Sequence, residues 1–121
     1  MMLVLTVVAL LLKVVGFVFL FAAALGLLRF SDPLQRMHAS TKAGTVGAGL
    51  TVAGAALASG DATTLGVAAL TIVFLIFTVP VAGHMLGRAI YVSGAKLHGI
   101  EGKDALKGVI EQEAAPRRHP D

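Results

Sequence analysis

The chain has 121 residues, 56% of them hydrophobic and only 14% charged, with a formal net charge of +3. That length sets one compact unit as the expectation, and sparse charge beside long apolar runs excludes an ordinary soluble core in favour of a membrane protein. The lack of cysteine excludes disulfides, thiolate metal sites and thiol catalysis.

The first predicted element is an almost unbroken apolar run over residues 3–28, long enough to span a bilayer with tilt. Ala22-Ala23-Ala24 has the look of a cleavage box, but no positive segment precedes the run, which is about twice the usual length for a signal peptide. A retained helix is expected. Lys13 is the only ionisable residue deep inside a predicted span, where a charge is costly, so it is a candidate for proton or cation handling beside another subunit. Pairing with a partner carboxylate, or snorkelling toward the outer surface, is the ordinary alternative.

The polar stretch RFSDPLQRMHASTKAGT, residues 29–45, comes next. Asp32 before Pro33 is a helix start, with a carboxylate at the N-cap and proline in the first helical position. Gln35 falls where a capping box would place it. Helical spacing puts Asp32 near Arg36 and His38 near Lys42. A helix begun at Pro33 can run straight into the second predicted span, about 43–58, read from AGTVGAGLTVAGAALA. Its small residues recur at intervals of four around Gly44, Gly47 and Gly49, a pattern that lets helix backbones approach closely in lipid. A generic Ala/Gly-rich span is the plainer reading.

Ser59-Gly60-Asp61 is too short a connection for anything but an antiparallel pair, and the third span follows at about 63–82, with its helix extending past 82. Pro80 removes one backbone donor and predicts a kink. Gly83 and Gly87 form a GxxxG, with His84 one turn after Pro80 and Arg88 beyond it. His38 and His84 make a relay conceivable, histidine being the side chain most used for that role, although an interfacial hydrogen bond is the commoner one.

These elements give an all-α integral membrane protein: a membrane domain over 1–94 with three transmembrane helices, then a cytoplasmic C-terminal tail over 95–121 whose end, APRRHPD, reads as disordered. With three spans, Arg29, Arg36, Lys42, Arg88, Lys96, Lys103, Lys107, Arg117 and Arg118 share one side, and the opposite side has no basic residue. The positive-inside rule therefore puts the N-terminus outside and the C-terminus in the cytoplasm. No span contains Asp or Glu, so an independent cation/proton exchanger, which needs a titratable carboxylate at membrane depth, is disfavoured. No metal-ligand pair, phosphate loop or nucleophile elbow is present, so neither a metal, a cofactor nor an enzymatic activity is expected. Nucleic acid is not an expected partner either.

The segments GLLRFSDPLQRMHASTKAGTVG and FTVPVAGHMLGRAIYVSG resemble the G-type small subunits of Mrp-type (Mnh, Pha) multisubunit sodium/proton antiporters. The first pattern falls on Gly26, Leu27, Arg29, Asp32, Arg36, His38, Ala39, Thr41, Lys42, Thr45 and Gly47, and the second on Thr78, Pro80, Ala82, His84, Arg88 and Ala89. Pro33 and Lys13 depart from what the family leads one to expect. The resemblance implies a small accessory subunit that contributes to assembly and lines part of a cation pathway. It implies larger antiporter-like subunits, small companion subunits and lipid as partners, with Na+ and H+ moved by the whole complex. In that setting Arg29, Asp32, Arg36, His38, Thr41 and Lys42 form a cytoplasmic motif for docking or ion relay, and Thr78, Pro80, His84 and Arg88 form a second motif on the third helix. The alternative from another class is a self-sufficient homo-oligomeric carrier or holin-like pore.

Overall fold

A computed structural model describes residues 1–93, so the tail expected over 95–121 lies outside the described residues. Helix α1 (Met2–Arg29) leads through a short turn into α2 (Pro33–His38). The chain continues without a break through a π-helical turn (Ala39–Ala43) into α3 (Gly44–Ser59), and after a tight turn α4 (Ala62–Val92) completes the described residues.

Each turn has a local cause. The Asp32 carboxylate accepts a hydrogen bond from Leu34 N at 2.9 Å, which caps α2 with Pro33 in its first turn. Gln35 does not complete a reciprocal box: the cap is Asp32 alone, on the donor two residues along. Between α3 and α4, Gly60 takes the left-handed conformation with φ of 66°, which glycine adopts without steric penalty. Asp61 then caps α4, its Oδ2 accepting from both the backbone N and the hydroxyl of Thr64 at 2.8 Å. Those two bonds hold the Asp61 carboxyl below the usual carboxylate range, the backbone N–H contributing most.

The packing inverts that of a soluble protein. The buried apolar residues are small, Ala9, Ala23, Ala56 and Ala68, with Tyr91 as the one large member, whereas Leu10, Phe17, Leu70 and Phe77 are 60%, 67%, 71% and 72% exposed. Large apolar groups facing outward from a seam of small ones is the arrangement expected when lipid is the solvent. Two helices, α1 and α4, are long and apolar enough to cross a membrane. Pro80 lies inside α4, which remains one helix from Ala62 to Val92.

The main seam joins α1 to α3, antiparallel and backbone to backbone. A Cβ built on Gly54 would lie 2.8 Å from the Ala9 carbonyl oxygen, and one on Gly26 would lie 2.6 Å from the Ala39 Cβ. In α1 the seam residues Ala9, Gly16 and Ala23 recur every seven residues, and Gly47 and Gly54 answer them at the same interval in α3. A seven-residue recurrence keeps one narrow stripe facing the partner helix. Helix α4 packs less extensively, against α3, α2 and the π-helical turn.

Candidate functional site

The site begins with the backbone irregularity between α2 and α3. Ala39 lies against Gly26 of α1, and the chain makes one π-helical turn there before α3 resumes regular spacing. Such turns loosen the backbone ladder, and threonine hydroxyls help satisfy the carbonyls around this one. Thr41 Oγ1 donates to the Met37 carbonyl at 2.8 Å, and Thr45 Oγ1 donates to the Thr41 carbonyl. The π turn therefore carries Ala39, Ser40, Thr41 and Lys42, the centre of the first sequence motif.

Helix α4 runs past this turn and leaves a groove of about 960 Å³ between the two. His38, Thr41 and Lys42 line it from one side, and Pro80, His84 and Arg88 from the other. Two motifs about forty residues apart thus meet in one place. Leu34, Met37, Val46, Ile76 and Val79 supply the apolar part of the lining. At the floor, α4 approaches closely where its glycines lie: a Cβ on Gly83 would lie 3.6 Å from Thr41 Cγ2, and one on Gly87 the same distance from the Met37 thioether.

The remaining candidates sit elsewhere. Arg29 ends α1 and is exposed. Asp32 is buried and committed to its cap. Arg36 does not turn toward Asp32, because its Nε donates to the Phe30 carbonyl and thereby ties α2 back to the end of α1. His38 Nδ1 lies 3.0 Å from the Leu34 carbonyl rather than reaching Lys42. A carbonyl only accepts, so this bond puts a proton on Nδ1. Thr78 is exposed and is not among the residues lining the groove.

Lys13 is remote from the groove. It is half-buried in the α1–α3 seam, where its Cγ would lie 2.9 Å from a Cβ on Gly54, so the aliphatic stem rests on the bare backbone of α3. Of the other expected packing glycines, Gly47 is in close contact, Gly44 is no nearer than 4.0 Å to Ala23, and Gly49 has nothing within 4 Å. Gly16, Gly26 and Gly54, which the four-residue spacings do not pick out, approach as closely as Gly47 or closer. The seven-residue recurrence of small side chains is the signal that finds Gly16 and Gly54.

Among the described residues no group of three or more His, Asp or Glu could hold a metal ion. The only acidic side chains in those residues, Asp32 and Asp61, both cap helix starts. An all-helical chain with an apolar surface and a seam of small residues defines a small all-α membrane protein. The sequence model of the PhaG_MnhG_YufB family, Na+/H+ antiporter subunit, matches residues 10–91. The chain belongs to this family, the G-type small subunits of Mrp-type multisubunit antiporters.

Among its relatives, the G-type Na+/H+ antiporter subunit of Alkalihalophilus pseudofirmus is 36% identical over 94 residues, 74% of this chain and 76% of that protein. A UPF0091 protein of Pyrococcus horikoshii is 41% identical over 86 residues, 68% of this chain and 72% of its own length. A chain in the structure of the Mrp complex from Dietzia sp. DQ12-45-1b superposes with a TM-score of 0.76 at 28% identity, over 81% of this chain and 88% of that one.

Proposed function

We propose that the chain is a non-enzymatic accessory subunit of a Na+/H+ antiporter complex in the bacterial inner membrane, a three-span protein with its N-terminus outside and its C-terminus in the cytoplasm. In this reading α1, the α2–α3 rod and α4 are the three spans of a membrane domain over 1–94, and residues 95–121 form a cytoplasmic tail. The orientation is supported by the basic residues: Arg29, Arg36, Lys42 and Arg88 all belong to one end of the bundle, and the Gly60 turn at the other end carries Asp61 and no Lys or Arg. The exposed edge of Arg29 and Arg36 docks neighbouring subunits, and the chain lines part of their cation route.

One observation carries the accessory role. Both aspartates of the described residues cap helices at the turns. The described residues therefore offer no carboxylate at membrane depth to bind a cation and release a proton, and in this reading another subunit supplies it. The homo-oligomeric carrier has no support from this distribution of charge. The test is pull-down in mild detergent followed by mass spectrometry, with antiport measured in proteoliposomes of the purified chain. Larger membrane subunits should co-purify, and the chain alone should move neither ion. A pure homo-oligomer that exchanges sodium for protons would overturn the reading.

A further inference from the structure

The groove between the π turn and α4 differs from a generic apolar cleft in the order of its lining. At one end, Val46 and Ile76 face it without charge. Toward the other, His38, Lys42, His84 and Arg88 enter the lining, and none of its lining residues, all among the described residues, is acidic. The charged end is the end of the bundle that carries the basic residues, and the apolar end points along the helices toward the bundle centre. From Ile76 to Tyr91 the α4 wall rises about 22 Å at the helical rise per residue. One leaflet of a bilayer, headgroup region included, is about 20–22 Å thick.

We infer that this groove holds one anionic phospholipid of the cytoplasmic leaflet, its phosphate between Lys42 and Arg88 and an acyl chain along Val46, Ile76 and Val79. The inference goes beyond the accessory-subunit reading and rests on it for the side of the membrane. Charge and depth both select this occupant. Two cations in a lining that has no carboxylate among the described residues attract a phosphate, and basic recesses between membrane helices on the cytoplasmic side are where such headgroups bind. The apolar floor, with Gly83 and Gly87 lowering the wall, accommodates a flexible chain that brings no backbone polar groups needing partners.

The experiment is native mass spectrometry of the full chain, purified in mild detergent, delipidated and titrated in parallel with dioleoylphosphatidylglycerol and dioleoylphosphatidylcholine. One phosphatidylglycerol should be retained under activation that strips phosphatidylcholine. The double variant Lys42→Gln/Arg88→Gln should lower that retention at least tenfold, and Arg29→Gln, outside the groove, should leave it unchanged. Gly87→Leu and Val46→Phe each occupy the apolar lining with every cation in place, and each should displace the lipid. Circular dichroism identifies any variant that has lost helix, and two independent fillings keep the test decisive if one does. Equal retention of both lipids, or full retention in folded filling variants, would overturn the inference. So would photocrosslinks from position 83 or 84 in the purified complex that go to another subunit rather than to lipid. Failure of larger subunits to co-purify would count against the accessory-subunit reading alone, since lipid retention is read on the chain itself.

Discussion

Gly16 and Gly47 face each other so closely that a Cβ built on either would lie 2.8 Å from the carbonyl oxygen of the other. Backbone obstructs on both sides, in addition to the Thr51 hydroxyl over Gly16 and Leu20 over Gly47, so rotating a side chain away does not relieve it. In lipid, where helix association rests on packing and not on apolar burial, this contact sets the separation of α1 and α3.

Gly16→Ala and Gly47→Ala should therefore each force the helices apart, destabilising the chain by about 1–3 kcal/mol, the usual cost of overpacking. Gly49→Ala should be neutral or slightly stabilising, because nothing lies within 4 Å of that position. Thermal unfolding in detergent, followed by helical circular dichroism, separates the three.

Asp32→Ala should cost about 1 kcal/mol, since the Leu34 N–H loses its acceptor at the start of α2. Asp32→Asn should recover most of that loss, because an amide oxygen caps nearly as well. The same unfolding measurement reads both, and equal loss in the two variants would argue for a role of the negative charge itself.

At Asp61 the expected effect is one of pH. Its pKa is lowered in the folded chain by the Thr64 N–H and hydroxyl, so its contribution is complete above the unfolded carboxylate value. It is lost as pH falls through the lower folded value. The start of α4 should thus be insensitive to pH near neutrality and should fray only in strong acid. Asp61→Asn should remove this acid transition, as judged by hydrogen exchange at residues 62–65 across an acid titration.

Arg36→Ala should lower the yield of intact complex several-fold, with antiport per complex unchanged. Arg36 is exposed, and its bond to the Phe30 carbonyl orients it at the edge assigned to docking. Quantitative pull-down together with proteoliposome antiport checks this. Intact complex with lost antiport would instead assign Arg36 to ion relay.

The elements that depend on local chemistry were legible in the sequence. Asp32-Pro33 signals a helix start because the cap needs only residues two apart, and Ser59-Gly60-Asp61 signals a turn because φ above zero asks for glycine. The two motifs also meet at one end of the bundle, where they line one groove. Features that depend on a partner helix were harder to read. Residues 3–28 look uniformly apolar, so the stripe of Ala9, Gly16 and Ala23 is hidden unless intervals of seven are sought. The π turn is not signalled by any residue of HASTKA, since it answers a contact made by Gly26 on another helix. The Asp32–Arg36 pairing expected from helical spacing gives way to the Phe30 carbonyl, which becomes reachable only when the chain folds back after α1.

The π turn works as a phase shifter. Ala39 and Gly44, five positions apart, both face α1, toward Gly26 and Ala23 respectively. In a regular α-helix, residues five apart point about 140° away from each other. The widened turn absorbs that difference, so Ala39 rather than Ser40 enters the seam and the hydroxyl of Ser40 stays outside it. Deleting one residue from 39–43 would restore an ordinary helix and leave α3 in register. The residues flanking the deletion would then lie four apart, about 40° around the axis, so α2, with Arg36 and His38, would keep nearly its present face and only the extra residue of the turn would be lost.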